Sequence, residues 1–368
     1  MAELEVAKLD GDTPHERGVI HGEQFSDEIA ANVDRYLDRF AHNDITEAQA
    51  LEHADRYVPL IEDESPSYAA EMRGVAEGSG LAIELVVLVN VRYELLFSVF
   101  AEQATGREGR TDAVPDGCTS FGVQPAATAT GRTYIGQNWD WIPDIEVFLM
   151  DIRRPDAPNA LALTEAGLVG GKFGLNEHGI GFVVNGLVSE NDGEEPYRKP
   201  THIAHREILG ADRFSDAVGA VVDHDSVCSG NVLIGHPEGE LIDIERGPES
   251  AYYLYPEDHV LTHANHFEFD GGAEIGEQFV TDSVCRSPRL RTLLERRAGD
   301  IDRETLEEAL RDHFNHPASI CSHVDPDQPD HEIGQTNASA IMDLENRRMF
   351  LVGGPPCEGE YREYSVAP

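Results

Sequence analysis

The sequence predicts an α+β fold in which β-sheets are covered by helices. Helical periodicity dominates residues 1 to about 103, short β-rich runs separated by turns begin at residue 118, and helical patterns return among and after them. Strands and helices therefore come in blocks, which favours covered sheets over a regularly alternating parallel fold. A chain of 368 residues with 40% hydrophobic content can bury a substantial core, in one large domain or two ordinary ones.

The first hundred residues predict a series of amphipathic helices. Apolar residues recur every three to five positions over residues 15–40, which indicates one helix with a buried stripe. Thr46 and Gln49 have the spacing of a capping box, so a second helix should begin there. Ser65 followed by Pro66 is typical of a helix start and predicts a third.

A β-hairpin is predicted over residues 118–138, with a strand, a turn and a return strand. If the turn is centred near Ala129, antiparallel pairing places Asp140 opposite Cys118, on the same face of the sheet and within side-chain reach. The preceding run 104–115 is made of small, charged and turn-forming residues and predicts a loop. A thiol at the start of a strand, beside a carboxylate and just after a glycine, suggests an N-terminal nucleophile released by self-cleavage.

The rest of the chain predicts more strands and a few helices. Further β-rich runs lie at residues 147–153, 161–166, 179–187, 231–235, 241–245 and 251–255, with a late hairpin formed by 340–344 and 348–352. Helical patterns lie at residues 203–209, 214–222, 288–297 and 303–313.

Charge is the most unusual feature of the composition. The chain has 69 acidic and 28 basic residues, a formal net charge of -41, and only Lys8, Lys172 and Lys199 are lysines. Such self-repulsion is best explained by a halophilic protein in a high-salt cytoplasm, where electrostatic screening is strong. An ordinary acidic protein is the alternative. Nucleic acid and anionic membranes are poor partners for this surface.

The cysteines and the N-terminus indicate a cytoplasmic protein. The five cysteines are an odd number without a Cys-x-x-Cys pair, so neither a disulfide framework nor a zinc knuckle is predicted. The acidic N-terminus lacks the apolar segment of a signal peptide. The most apolar run, residues 85–100, is interrupted by Asn90, Arg92 and Glu94, which predicts a packed helix instead of a membrane span.

Several motifs resemble a known family. Asp-Gly-Cys-Thr at residues 116–119 and Gly-Gln-Asn-Trp-Asp at residues 136–140 look like the acyl-coenzyme A:6-aminopenicillanic acid acyltransferases, or penicillin acyltransferases. That family belongs to the N-terminal nucleophile hydrolases and is related to the choloylglycine hydrolases. The resemblance implies a four-layer αββα sandwich, with residues 1–117 as a mostly helical pro-segment and residues 118–368 as the catalytic domain. Bile-salt relatives carry an arginine where this chain has Gln137, which favours the penicillin acyltransferase branch.

Cys118 is the candidate nucleophile. A lone cysteine is commonly a small buried hydrophobic residue, but here its neighbours suggest more. Cleavage between Gly117 and Cys118 would give Cys118 a free α-amine with a pKa of roughly 8, which suits a general base at neutral pH. One residue would then supply nucleophile and base. The resemblance maps the family's aspartate onto Asp140, which would orient the amine or thiol; the alternative is an ordinary turn carboxylate.

Further site residues are implied by the resemblance. Asn185 and Asn265 lie in segments similar to family motifs whose asparagines donate amide N–H groups near the nucleophile, although each could be a turn-capping residue. The run Ser283-x-x-Arg286 resembles a family stretch that opens a helix, and either Arg286 or Arg289 could hold a substrate carboxylate. The alternative for both arginines is a surface helix charge.

No metal or cofactor is predicted. His313, His316, His323 and His331 match no zinc-binding spacing, and Cys357, in a closing Gly-Gly-Pro-Pro-Cys run similar to the family's, is predicted to be structural. The leading hypothesis is a self-processing amidohydrolase that cleaves a linear amide of a small molecule through a thioester. Acyl transfer from acyl-coenzyme A or another donor to an amine is the alternative, and an unprocessed binding protein of the same fold is a third. The two processed chains should stay associated, and homo-oligomerisation is left open.

Overall fold

Two β-sheets lie face to face between layers of helices in the computed structural model of the protein. The structure describes residues 4–96, 117–189, 191–269, 281–329 and 333–366; Asp116 and the loop predicted at 104–115 lie outside them. Strands of one sheet contact strands of the other across a shared core, and helices cover the outer faces of both. The predicted four-layer αββα sandwich is confirmed.

The larger sheet has eight strands, which lie side by side in the order in which they occur along the chain. A hairpin that belongs to the other sheet intervenes in sequence between its first and second strands. The order is β1 (Val6–Leu9), β4 (Val147–Ile152), β5 (Ala160–Glu165), β6 (Phe173–Asn176), β7 (Gly181–Gly186), β8 (Gly230–Gly235), β9 (Leu241–Arg246) and β10 (Ala251–Leu254). β1 pairs with β4 in parallel, and the other neighbours are antiparallel. The sequence analysis did not predict β1 or β6.

The smaller sheet has six strands and carries the hairpin around which the candidate site forms. The order is β11 (Val260–His263), β2 (Thr119–Val123), β3 (Tyr134–Trp141), β12 (Gln335–Asp343), β13 (Arg348–Gly353) and β14 (Arg362–Ser365). All neighbours are antiparallel. β2 and β3 lie in the middle of this sheet, where β2 contacts β7 and β8 of the larger one.

The helices divide into groups that cover different sheets. The N-terminal group is α1 (Pro14–Gln24), α2 (Ser26–His42), α3 (Glu47–Glu64), α4 (Pro66–Ser79) and α5 (Ile83–Asn90). Two helices, α6 (Thr201–Leu209) and α7 (Phe214–Val222), contact the outer face of the eight-stranded sheet. Two more, α8 (Ser283–Glu295) and α9 (Arg303–Leu310), cover the six-stranded sheet. A second apolar core forms beneath α8 and α9 from residues such as Phe121, Leu290 and Leu306.

The capping box predicted at Thr46 is confirmed, because the Thr46 hydroxyl accepts from the Gln49 amide while the Gln49 side chain accepts from the Thr46 amide. The single helix predicted over residues 15–40 is wrong. The chain leaves helical geometry at Phe25 and forms α1 and α2. α1 is held against α4, whereas α2 also packs on α3 and α5, so one straight helix could not bury both stripes.

Glycines explain the close crossing of α1 and α4. A β-carbon on Gly18 would lie 2.0 Å from the backbone oxygen of Glu71, and one on Gly74 would lie 2.0 Å from the backbone oxygen of His15. Only residues without a side chain let the two backbones approach this closely. Any larger residue at either position would push α1 off α4 and displace the β1 strand that precedes it. Within the part of the chain that the structure describes, each helix is too short or too polar to cross a membrane.

Candidate active site

The register of the β2–β3 hairpin differs from the prediction by one residue. Thr119 pairs with Asn138, and the pairs continue to Val123 and Tyr134. The loop centre therefore lies between residues 128 and 129, because a short 3-10 turn at Pro125–Ala127 takes up part of the connection. A one-residue shift moves side chains to the opposite face of a sheet. Asp140 consequently lies beside Gly117, where a β-carbon on that glycine would be 2.9 Å from Asp140 Oδ2.

Cys118 lies at the bottom of a cleft between the two sheets. Its side chain is 1% exposed, its Sγ is 3.7 Å from the backbone oxygen of Asp140, and it forms no disulfide. The cleft has an empty volume of about 690 Å³, which includes the solvent at its open mouth. Its walls are mostly apolar and include Tyr93, Trp139, Leu187 and Val232.

Arg286 donates hydrogen bonds to the backbone around Cys118. One terminal nitrogen, Nη1, donates to the carbonyl oxygen of Gly117, to the carbonyl oxygen of Cys118 at 2.6 Å and to the Thr119 hydroxyl at 2.8 Å. The guanidinium is 2% exposed, and its Nε donates to Asp282 at 2.7 Å. Arg286 therefore directs a buried positive charge at the carbonyl group that precedes Cys118. With most of its donors already used, little remains for the predicted fork with a substrate carboxylate.

Asn185 lies across the cleft with an unused donor. Its Oδ1 accepts a 2.7 Å hydrogen bond from the Ser120 hydroxyl, which fixes the orientation of the amide. Its Nδ2 is buried and has no hydrogen-bond partner among the described residues, and Asn185 lines the same cleft as Cys118. A buried amide without a partner costs free energy unless a ligand or reacting group completes it.

Asn265 also lines the cleft, but its polar groups are occupied. Its Nδ2 donates to the Gly186 carbonyl at 3.0 Å, and its Oδ1 accepts from Arg286 at 2.9 Å. Its backbone N–H donates to the Ser283 hydroxyl at 2.6 Å, so Ser283 positions this turn from the start of α8. Arg289 lies one turn further along α8 than Arg286. It does not line the cleft and pairs with Asp312 at 2.6 Å.

Asp140 is buried and anchored by the neighbouring strand of its own sheet. It is 2% exposed, and its Oδ1 accepts a 2.6 Å hydrogen bond from the Thr336 hydroxyl on β12. The Thr336 hydroxyl in turn accepts from the backbone N–H of Ser322 at 3.0 Å. Gln137, three residues before Asp140 on β3, faces the larger sheet, and its side-chain oxygen accepts from the Val184 amide at 2.7 Å. β3 thus presents a carboxylate towards Gly117 and an amide towards β7.

Buried charges surround the floor of the cleft, and the sequence analysis missed them. Lys172 lines the cleft, is 1% exposed and lies 3.6 Å from Glu165, which also pairs with the buried Arg92. The Lys172 ammonium lies about 5 Å from the ring centres of Tyr93 and Trp139. Lysine and arginine are rarely this buried in ordinary cores, which is a signal that the sequence alone does not carry.

The imidazole in the cleft is a poor base. Burial, assisted by the neighbouring Lys172, lowers the pKa of His205 to about 3. His205 Nδ1 lies 2.9 Å from the carbonyl oxygen of Gly171. Within the described lining of the cleft, no other histidine is present. A general base near pH 7 must therefore come from another group.

A second buried network supports the Asn265 turn. Burial alone would lower the pKa of His263, but Asp243 and the hydrogen bond from His263 to Glu245 at 2.8 Å outweigh it and raise the pKa to about 9. Burial raises the pKa of Asp243 to about 6. Glu245 also accepts from the backbone N–H of Phe269 at 3.1 Å. The hydrogen-bonded His263–Glu245 pair thus holds the chain that follows Asn265.

Within the described residues, metal-ligating side chains come together at His313, Cys321, His323 and Cys357. None of these four residues lines the cleft that contains Cys118.

The sequence and the fold are both similar to those of known proteins. A family model described as acyl-coenzyme A:6-aminopenicillanic acid acyl-transferase matches residues 127–356, well over half of the chain. The match includes Asp140, Asn185, Asn265 and Arg286 but begins after Cys118. One curated relative, the 40 kDa form of the acyl-coenzyme A:6-aminopenicillanic-acid-acyltransferase of Emericella nidulans, is 28% identical over 316 residues, which are 84% of this chain and 82% of that protein.

Solved structures give weaker matches. A conjugated bile acid hydrolase from Clostridium perfringens has 14% identity and a TM-score of 0.48, covering 67% of this chain and 92% of its own. Penicillin V acylase from Agrobacterium tumefaciens has 14% identity and a TM-score of 0.45, covering 64% of this chain and 83% of its own.

Proposed function

This chain belongs to the acyl-coenzyme A:6-aminopenicillanic acid acyl-transferase family and has an αββα N-terminal nucleophile fold, and from that premise we propose that it is a self-processing amidohydrolase with Cys118 as nucleophile. The family acts by moving acyl groups at carbon–nitrogen bonds, which agrees with a buried thiol at the bottom of an apolar cleft.

The observation that carries the proposal is the contact between Arg286 and the carbonyl oxygen of Gly117. In self-processing, the Cys118 thiolate attacks the Gly117 carbonyl carbon, and negative charge develops on the oxygen that Arg286 binds. The bond between that carbon and the Cys118 nitrogen then breaks, and the nitrogen takes the thiol proton. Water hydrolyses the resulting thioester, which releases a Gly117 carboxylate and leaves Cys118 with a free thiol and a free α-amine.

The new α-amine is the general base of the proposed reaction. Its ordinary pKa of roughly 8 suits proton transfer at neutral pH, whereas His205 in the same cleft is a far weaker base. Asp140 lies against Gly117, next to the nitrogen that cleavage would release, and would hold the protonated amine. The amine accepts the thiol proton as sulfur attacks the substrate carbonyl and returns it to the leaving amine.

Asn185 is the proposed donor to the substrate oxyanion. Its Nδ2 is buried, has no partner among the described residues and belongs to the cleft that contains Cys118. The Ser120 hydrogen bond holds the amide in place before the substrate arrives, so stabilising the oxyanion needs little reorganisation. Asn265 acts less directly, by positioning Arg286 and the β7 backbone.

The cleft favours an apolar acyl group. Val184, Leu187 and Val232 form its walls together with the rings of Tyr93 and Trp139. Because an apolar wall gains free energy by removing apolar surface from water, a fatty or aromatic acyl chain fits better than a charged one. The amine portion of the substrate would lie towards the open mouth, where few described groups constrain its chemistry.

The segment before residue 117 would stay bound after cleavage. Tyr93 lines the cleft, the Arg92–Glu165 ion pair is fully buried, and Arg206 donates to both oxygens of Glu71 at 2.8 and 2.9 Å. β1 adds a strand to the larger sheet. Removing one partner of a buried ion pair is strongly destabilising, so the processed chains should form one obligate unit.

Transfer to an amine is the second candidate, because the family description and the Emericella relative both carry that activity in their names. We expect a labelled N-acyl amide to be hydrolysed to free acid, with part of the label diverted to a new amide when a second amine is added. The experiment measures both products by mass spectrometry at increasing amine concentration. A constant yield of acid at saturating amine would support hydrolysis alone, and new amide without free acid would support transfer. No turnover of any N-acyl amide or thioester donor would contradict both.

Replacing Asn185 with alanine should lower kcat by about 10²–10³-fold while changing KM little, because one oxyanion donor is lost. Steady-state kinetics on one N-acyl substrate measures this. Ser120→Ala is the matched control, since it removes only the bond that orients Asn185 and should cost far less. An Asn185→Ala enzyme as active as the wild type would remove Asn185 from the mechanism.

A further inference from the structure

Four potential metal ligands converge on one point next to the six-stranded sheet. His313 and Cys321 come from the segment after α9, His323 follows two residues later, and Cys357 lies in the 3-10 turn Pro356–Glu358 after β13. Their ligand atoms all lie within 4.8 Å of one another. The spacing along the chain matches no zinc motif, which is why the sequence analysis predicted no metal.

The distances agree with the edges of a tetrahedron around one ion. With zinc–sulfur bonds of about 2.3 Å and zinc–nitrogen bonds of about 2.0–2.1 Å, neighbouring ligand atoms lie about 3.3–3.8 Å apart. His323 Nε2 lies 3.1 Å from His313 Nε2, 3.5 Å from Cys321 Sγ and 3.4 Å from Cys357 Sγ. Three of the six edges are therefore close to the values that zinc requires.

Hydrogen bonding alone does not explain this arrangement. An imidazole nitrogen has either one proton or one lone pair, so His323 Nε2 can make one good hydrogen bond, yet three ligand atoms face it. A cation at the centre would be shared by all four atoms. The other ring nitrogen, His323 Nδ1, lies 3.7 Å from Glu358 Oε1, and a carboxylate behind a ligating histidine is a common support of metal sites.

We propose that His313, Cys321, His323 and Cys357 bind one Zn²⁺ ion in a structural site. Two thiolates and two imidazoles suit zinc, and four protein ligands leave no open position for catalysis. The ion would join the segment 312–323 to the turn after β13. The segment and the turn both lie in the layer that covers the six-stranded sheet. The ion would therefore hold the C-terminal part of the chain on the sheet that carries Cys118.

The same segment supports β3. The Ile320 carbonyl accepts from Asn138 Nδ2 at 2.7 Å, and the Ser322 backbone N–H donates to the Thr336 hydroxyl, which donates to Asp140. A metal that orders residues 320–323 would therefore also hold Asp140 in place. This consequence rests on the proposed function of Asp140, whereas the metal site itself does not.

The test is metal analysis of the full-length, untagged protein expressed with added zinc and purified without chelators. Elemental mass spectrometry should find close to one zinc per chain. Because loss of an outer partner alone weakens metal affinity by about 10–100-fold, losing a ligand should weaken it at least as much. His313→Ala and Cys357→Ser change exposed residues and should still fold; a chromophoric chelator would measure their zinc affinity. Cys285→Ser, at another exposed cysteine, is the control and should bind zinc like the wild type.

Cobalt gives a readout that does not depend on activity. The Co²⁺ protein should show the visible bands of a tetrahedral site and a thiolate-to-cobalt charge-transfer band, both lost in Cys357→Ser and kept in Cys285→Ser. Chelation should lower the Tm of the wild type towards that of His313→Ala. A wild-type protein without stoichiometric metal, with Cys321 and Cys357 found as thiols or as a disulfide, would overturn the proposal. Equal zinc affinity in the wild type and both ligand variants would do the same.

Discussion

Cys118→Ala is expected to lower hydrolysis of an N-acyl amide by roughly 10⁴–10⁶-fold, the loss that follows removal of a covalent nucleophile. The variant lacks the sulfur that attacks both the Gly117 carbonyl and the substrate, so neither processing nor turnover can proceed. Activity should be measured on protein incubated long enough for the wild type to reach a constant rate. The folded state of the variant should match that of the wild-type precursor, because the contact of the thiol with the Asp140 carbonyl, at 3.7 Å, is weak.

The cleft provides its own control for this experiment. Cys228 lines the same cavity, and its thiol is also buried. Burial, followed by the negative charges of Glu94 and Asp192, raises the pKa of the Cys228 thiol, which makes it a poor nucleophile at neutral pH. Cys228→Ala should therefore lose far less activity than Cys118→Ala. Comparable losses in both variants, or full activity in Cys118→Ala, would show that the thiol of Cys118 is not the nucleophile.

Arg286→Met is expected to slow self-processing by about 10²–10³-fold, the effect of losing a donor to a developing oxyanion. The guanidinium binds the carbonyl oxygen of Gly117, and its positive charge would stabilise the tetrahedral intermediate that sulfur attack creates. The rate can be followed as the conversion of freshly purified precursor into two chains by denaturing mass spectrometry. Arg286→Lys keeps the charge but loses the fork that reaches Gly117, Cys118 and Asn265 together, so it should be intermediate.

Arg289→Met is the matched control for Arg286. It lies on the same helix three residues later, but its guanidinium pairs with Asp312 instead of with the backbone around Cys118. Its processing rate should equal that of the wild type. Circular dichroism and Tm must show that Arg286→Met is folded, since Arg286 is a buried residue with five hydrogen bonds. A folded Arg286→Met precursor that processes at the wild-type rate would refute this role.

Short motifs predict the four-layer sandwich through the family resemblance, and the same motifs contain most of the candidate site residues. The capping box at Thr46, the strands around Cys118 and the late hairpin follow from short-range periodicity and turn chemistry. The resemblance of the motifs to the acyl-transferase family is confirmed. Local patterns could not predict the register of β2 and β3, which depends on the 3-10 turn at Pro125–Ala127 and places Asp140 beside Gly117.

Long-range contacts explain what was missed. β1 is only four residues long and pairs with a strand more than 140 positions away, so its sequence carries little signal. The sequence predicts a substrate carboxylate as the partner of either Arg286 or Arg289, because it does not show that the Arg286 side chain binds the backbone around Cys118. The ligands of the proposed zinc site are spread along the chain from His313 to Cys357, with gaps that no motif describes. Only the folded chain brings their ligand atoms within 4.8 Å of one another.

The most direct test of the account is a denaturing intact-mass spectrum of the wild-type protein, kept in high salt until the final step because of its net charge of -41. The account predicts two chains whose masses meet between Gly117 and Cys118. The Cys118→Ala protein, treated in the same way, should give one full-length mass. A single full-length mass for the wild type after long incubation would contradict self-processing. It would remove the free amine on which the proposed hydrolysis depends and leave an unprocessed binding protein of this fold as the better account.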